Sequence, residues 1–193
     1  MHHIYHTEAI ILGSKNFGEA GKYYFLFTKD LGMIYASASG VRKISSKLRF
    51  ILQDLSYIKV DLIEGRDFWK ITSASKTNHL DGISRNSDTL RVASSLASLL
   101  KRLLAGVEKN ETLFNDFLDG LLILEDTQTP EEMKDIEMMI VLRILNHLGY
   151  IGESEKLRNL IGPSLNKGLV IEIIKSRSQV LREINRALKE THL

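Results

Sequence analysis

Hydrophobic and polar positions change their period near residue 80. Before it, short runs rich in β-branched and aromatic residues are bounded by glycines: Ile4–Leu12 ending at Gly13, Lys22–Thr28, and Met33–Ser39 after the turn Asp30-Leu31-Gly32. From Leu55 to Glu64 the residues Ser56, Ile58, Val60 and Leu62 alternate with Leu55, Tyr57, Lys59, Asp61 and Ile63, the pattern of a half-buried strand. Glu64-Gly65-Arg66-Asp67 turns into a last run, Phe68–Thr72. Five short strands in about 70 residues suit an OB-type barrel and equally an SH3-like one, so the count alone does not choose.

After residue 80 the period is helical. Ser87 is expected to cap a helix carrying Leu90, Ala93, Leu96, Ala97, Leu100, Leu103 and Leu104, with Gly106 as the stop. Asn110 opens a second, with Phe114, Phe117, Leu118, Leu121 and Leu122. Thr129-Pro130-Glu131-Glu132 is a capping box with proline at the first helical position. It precedes Met133, Ile136, Ile140, Ile144 and Leu148, and added apolar residues (Met139, Val141, Leu142, Leu145) predict a helix buried on most sides, ending at Gly149. Leu157–Ile161 suggests a short helix and Ser178–Glu190 a final one packing Val180, Leu181, Ile184 and Leu188; Gly168–Ile174 fits strand or helix. The expected architecture is α+β: a barrel over 1–80, then an all-α helical bundle over 81–193, joined near His79–Arg85.

Charge sharpens this division. Residues 1–80 hold 11 Lys and Arg against 7 Asp and Glu, a net of +4; residues 81–193 hold 15 against 17, a net of −2. The excess gathers in Gly40-Val41-Arg42-Lys43-Ile44-Ser45-Ser46-Lys47-Leu48-Arg49, with four cations in ten residues and no acid between Asp30 and Asp54. Arg42, Lys43, Lys47 and Arg49 supply charge and Ser46 a hydroxyl to phosphate oxygens, so nucleic-acid backbone is the candidate ligand and a solvated basic loop the plain alternative. Lys15 and Lys22 would extend the surface, and Lys70 beside Phe68 and Trp69 offers a stacking platform, though one of those two aromatics must face the core. A second basic face is expected on the last helix, where Arg182, Arg186 and Lys189 fall within about 60° and Lys175 joins if the helix starts early enough. It suits an acidic peptide, a second DNA strand, or solvent.

Other chemistries find little support. The chain has no cysteine, which excludes disulfides and thiolate metal sites. Gly13–Lys22 fails the P-loop spacing and reads as a mobile inter-strand loop. His2, His3 and His6 sit at the start without a carboxylate partner in the sequence, and His79, His147 and His192 are scattered. No nucleophile–base pair emerges, so neither an enzyme nor a cofactor is expected. No apolar run reaches the length of a membrane span and no leader pattern opens the chain, which points to a soluble cytoplasmic protein.

With these elements placed, the sequence resembles the RecO family of recombination mediators. The resemblance rests on Thr7-Glu8-Ala9-Ile10-Ile11-Leu12, Gly18-Glu19, Leu26-Phe27-Thr28, Leu31-Gly32, Gly40-Val41-Arg42-Lys43, Ser46-Lys47-Leu48-Arg49 and Leu52-Gln53, then Leu113-Phe114 and Leu148-Gly149-Tyr150. It implies an N-terminal OB barrel binding single- and double-stranded DNA at the nucleoid, annealing of complementary strands, and recombinase loading. The implied partners are RecR and the acidic tail of single-stranded-DNA-binding protein. Many members insert a four-cysteine zinc module after the Leu-Gly-Tyr segment. This chain has only Ile151–Lys167 there, so zinc is not implied. The alternatives are a generic OB module for single-stranded nucleic acid, RNA included, and a non-catalytic protein-interaction scaffold.

Overall fold

The computed structural model describes residues 3–77, 79–104, 109–152 and 157–191. His2, Gly106 and His192, singled out above, lie outside them. The chain forms two compact units, one of Met1–Asp81 with Ala97–Glu111, the other of Gly82–Leu96 with Thr112–Leu193.

In the first unit β1 (Ile4–Phe17), β2 (Gly21–Thr28), β3 (Gly32–Ala38), β4 (Tyr57–Ile63) and β5 (Trp69–Lys76) close into a barrel of order β1-β2-β3-β5-β4. All pairings are antiparallel except β3 with β5, which is parallel. This crossover settles between the two barrels that the strand count allowed: the fold is an OB barrel. Inward positions repeat every second residue, with Ala9 and Ile11, Tyr24 and Leu26, Ile34 and Ala36, and Ile58, Val60 and Leu62 in one core.

Three details differ from expectation. β1 runs four residues beyond Gly13, which is a bulge rather than a stop: the β1–β2 register slips between Ile11 and Gly13, and Gly13 has φ +150°, open to glycine. The supposed mobile loop Gly13–Lys22 is therefore mostly strand, leaving only a turn at Gly18–Ala20. Between β3 and β4 the basic connection includes a helical turn, α1 (Leu48–Ile51), and buries Val41 and Leu52 against the barrel core, with Leu48 and Ile51 packed beside them. The segment 97–111 belongs to this unit too: the Lys101 ammonium lies 5.3 Å from the Phe25 ring centroid, and Lys109 pairs with Asp30 at 3.1 Å.

The second unit is helical. Helix α2 (Ser87–Leu103), whose residues from Ala97 onward belong to the first unit, is capped not by Ser87 but by Asn86, whose Oδ1 accepts from the amides of Asp88 and Thr89. Leu90, expected inside, is exposed, while Val92 takes a buried position. α3 (Glu111–Glu125) is followed by α4 (Pro130–His147), where the Thr129 hydroxyl accepts from the Glu132 amide, with Pro130 next. α4 is buried on most sides and packs on α5 (Arg158–Ile161) and α6 (Lys167–Glu190). The ambiguous Gly168–Ile174 is helix, capped by Asn166. Leu181 is exposed, and Ala187 is buried with Val180 and Ile184.

Polar contacts pin these helices. Buried Arg143 donates to Asp116 Oδ2 at 3.1 Å and to the carbonyls of Ile161 (3.0 Å) and Pro163 (2.6 Å), and His147 meets the same Asp116 oxygen at 2.8 Å. Arg177 of α6 forks onto buried Asp135 of α4 at 2.6–2.9 Å. Among the described residues no helix is long and apolar enough to cross a membrane, and no group of three or more His, Cys, Asp or Glu could hold a metal. His6, thought partnerless, pairs with Asp61 across β1–β4 at 2.6 Å, and His3 stacks edge-on to Tyr5.

Candidate nucleic-acid interface

The barrel separates the cations singled out in the sequence into two groups. Along β2, Lys22, Tyr24 and Leu26 share the inward side, so Lys22 sits at the end of the barrel where β2 begins. Gly40, at φ +68°, takes the left-handed turn that lets the chain leave β3, and the Arg42 amide donates to the Ala20 carbonyl at 2.9 Å. Arg42 is thereby fixed against the β1–β2 turn, where its Nη1 reaches the Gly18 carbonyl at 3.4 Å. Helix α1 turns Arg49 back toward the same place. Lys22, Arg42 and Arg49 line one cavity of about 340 Å³ together with Tyr24, Val41, Leu52 and Gln53. Lys43 and Lys47 lie exposed on the same connection, and Ser46 is half-buried there.

The electrostatics of this end are unusual. Among the described residues no carboxylate comes within 4 Å of Lys22, Arg42, Lys43, Lys47 or Arg49. Their contacts are neutral: Lys22 donates to Ser14 Oγ at 3.3 Å, and the Arg49 guanidinium lies 5.6 Å from the Phe50 ring centroid. In the same lining, the Tyr24 hydroxyl is buried without a hydrogen-bond partner among the described residues. Such a group costs roughly 1–3 kcal/mol. Burial, with a smaller contribution from the charge of Asp54, pushes the Tyr24 phenol up to about 12, so it keeps its proton at neutral pH.

Lys15 and Lys70 lie elsewhere. Register pairs Lys15 with Tyr23, Tyr23 with Ser37 and Ser37 with Lys70, so these four form one row across the outer face of β1, β2, β3 and β5. At adjacent-strand spacing the row spans about 14–15 Å. Aromatic rings flank it. Phe17 and Tyr23 have centroids 4.4 Å apart, Tyr23 and Phe68 4.9 Å, and Phe25 and Tyr35 4.9 Å; the Lys15 ammonium sits 5.6 Å from the Phe25 centroid. Phe17, Tyr35 and Phe68 are 53%, 46% and 44% exposed, an unusual grouping for rings with no core to fill. Trp69, by contrast, packs against the core beside Tyr5, so the aromatic next to Lys70 that remains open is Phe68.

The residues that sequence reasoning passed over are Tyr24 and the rings of Phe17, Tyr23, Phe25 and Tyr35. Strand alternation carried the signal: Tyr23 and Phe25 lie two apart on one face of β2, Lys22 and Tyr24 on the other. On α6 the Arg182, Arg186 and Lys189 side chains are exposed, as is Lys175, which the early start of the helix brings onto that face; Arg186 shares its charge with Glu183 at 2.6 Å.

In fold and site, then, the front of this chain is an OB domain with an unneutralised cationic end and an aromatic outer face. Comparison with known proteins narrows that class: the front domain matches a RecO N-terminal domain, and most of the chain is similar to DNA repair proteins RecO. Residues 1–79 match the "Recombination protein O N terminal" domain. The DNA repair protein RecO of Heliobacterium modesticaldum is 31% identical over 150 residues, covering 78% of this chain and 53% of that protein. Its counterpart from Desulfitobacterium hafniense (strain DSM 10664 / DCB-2) is 25% identical over 147 residues, covering 76% and 52%. That from Clostridium novyi is 25% identical over 167 residues, covering 85% and 63%. The chain thus spans a little over half the length of the first two relatives and under two thirds of the third.

Proposed function

We propose that this chain serves DNA repair and homologous recombination as a non-catalytic mediator, binding single- and double-stranded DNA and promoting strand annealing and recombinase loading. The carrying observation is the convergence of Lys22, Arg42 and Arg49 on one cavity, with Lys43 and Lys47 adjacent and no carboxylate within 4 Å of them among the described residues. Annealing brings two polyanions together. Protein cations release condensed counterions while leaving base edges free to pair. The row Lys15–Tyr23–Ser37–Lys70 with its flanking rings suits bases that stack without being read.

In this reading residues 1–80 are the DNA-binding domain and residues 81–193 the partner-binding one. RecR and the acidic tail of single-stranded-DNA-binding protein are the proposed partners, with Arg182 and Lys189 of α6 the candidate contacts for the tail and Arg186 a weaker one because of Glu183. The place of action is the cytoplasm, at the nucleoid. Titration of a fluorescent single-stranded oligonucleotide at several salt concentrations tests the DNA contact. Four phosphate contacts give a log–log slope of roughly −3. Binding that is absent, or indifferent to salt, ends the reading. A generic nucleic-acid binder is separated by asking whether the chain anneals strands already coated with single-stranded-DNA-binding protein.

A further inference from the structure

We propose that the cavity lined by Lys22, Arg42 and Arg49 receives the phosphomonoester at the end of a DNA strand, with the Tyr24 hydroxyl at its floor donating to a phosphate oxygen. The inference rests on the DNA-binding reading above and makes it specific to strand ends.

Three features carry it. The first is the floor. Tyr24 is fully buried, its hydroxyl has no hydrogen-bond partner among the described residues, and the residue lines the cavity. A phenol that holds its proton at neutral pH meets an anion as a donor, with one O–H to give. The second is the lining. Lys22, Arg42 and Arg49 bring ammonium and guanidinium donors of which, among the described residues, only two are engaged, and those by neutral oxygens at 3.3 and 3.4 Å. The Gln53 side-chain amide is held by the Arg49 carbonyl, and no carboxylate lines the space. Asp54, whose charge reaches the phenol, is exposed and outside the lining.

The third is shape. Within a strand, each phosphate has two free oxygens and two ester links leading away in opposite directions. A strand running past the cavity would present it with an edge. A terminal phosphate has three free oxygens, one ester link and a second ionisation near neutral pH, so it can enter a concavity end-on and meet donors on several sides. The cavity of about 340 Å³ has the volume of roughly ten waters, enough for such a group with its first sugar behind it. The outer face offers internal phosphates and bases a flat row instead.

The test uses the whole chain and one single-stranded oligonucleotide in three forms: 5′-phosphorylated, 3′-phosphorylated and phosphorylated at neither end. The protein is expected to bind one of the phosphorylated forms about tenfold more tightly than the unphosphorylated one, the two arms showing which end is taken. Tyr24→Phe, which removes one oxygen from a ring that stays packed, should bring that ratio to about one. Arg49→Gln, at an exposed position, should do the same should the Tyr24 variant fail to fold. Millimolar inorganic phosphate should erase the preference and leave the unphosphorylated oligonucleotide bound. Equal, tight binding of all three forms overturns the end-receptor and leaves the DNA-binding reading standing, as does a preference that survives in both variants. Failure to bind any form overturns both.

Discussion

Two cavities open at the two ends of β2, and their charges are handled in opposite ways. Beyond Thr28 a cavity of about 640 Å³ is lined by His6, Glu8, Lys29, Asp30, Lys59, Asp61 and Glu111. There Lys29 lies between Glu8 at 3.9 Å and Glu111 at 3.6 Å, Lys109 between Asp30 at 3.1 Å and Glu111 at 3.8 Å, and His6 meets Asp61 at 2.6 Å. At the other end Lys22, Arg42 and Arg49 line one cavity with no carboxylate of the described residues among its lining. The larger cavity carries charges of both signs, and most of them, Lys59 excepted, pair with one another or with Lys109. The smaller is left with cations that have no ion-pair partner among the described residues. A count of charges misses this. What marks a surface for a polyanion is whether the protein has answered its own cations.

The sharpest way to break the contrast is to reverse it. Changing Arg42, Lys43, Lys47 and Arg49 to Glu should weaken single-stranded DNA binding about 100-fold or more at low salt and flatten the salt slope toward zero. All four are exposed, so the unfolding midpoint should hardly move. The matching experiment at the other end, Lys29→Glu with Lys109→Glu, should do the converse. DNA affinity should stay within about twofold while stability falls, by roughly 1 kcal/mol or less per lost pair because these side chains are about a third to a half exposed. Equal losses of DNA affinity from both sets would mean that the field of the whole domain binds DNA, and that the unpaired cavity has no special part.

A second prediction separates charge from stacking on the barrel's other surface. Tyr23→Ala removes the ring between Phe17 and Phe68. It should cost about 1–2 kcal/mol of single-strand affinity, roughly 5- to 30-fold, and leave the salt slope as it was. Duplex DNA, whose bases are not free to stack on protein, should lose much less. A loss equal for both forms would take the outer face out of the interface.

How far this contrast could be seen beforehand depends on how local its causes are. Strand alternation placed Ile58, Val60 and Leu62 inside correctly, and the Thr129 cap of α4 was legible because a capping box lies within four residues. Closure of the barrel was not readable from strand count. It rests on pairings such as Ala36 with Trp69, set by the crossover and not by either segment alone. Gly13 was misread because a glycine that ends a strand and one that bulges it look alike in sequence. Ser87 was misread as a cap because Asn86, one residue earlier, has the same chemistry and the extended backbone that a cap needs. The basic run was plain from composition. Its lack of partners was not, since the pairs that neutralise the other end join residues as far apart as Asp30 and Lys109, or His6 and Asp61. Tyr24 is the extreme case. Nothing in Lys22–Thr28 says that its hydroxyl goes unanswered, because that follows from what surrounds it after the chain has folded.

The smallest effect should come from the paired end, and its sign is fixed. Asp30 accepts from the Thr7 hydroxyl at 2.8 Å and from Lys109 at 3.1 Å. Those contacts, the Thr7 bond foremost, hold its carboxyl below the usual range against the opposing effect of burial. A carboxyl depressed in the folded state contributes stability above its unfolded value of about 3.9, and that stability is lost as pH falls through the folded value. Asp30→Asn keeps an oxygen for Thr7 and removes only the charge. At pH 7 it should lower the unfolding midpoint by no more than about 2–4 °C, since a half-exposed pair is worth under about 1 kcal/mol after screening. The gap between variant and parent should then close as both are taken in acid below the folded value, where neither carries the charge. A gap that persists in acid would show that Asp30 acts through shape and not through charge, and the larger cavity would no longer be an end of the barrel where charge answers charge.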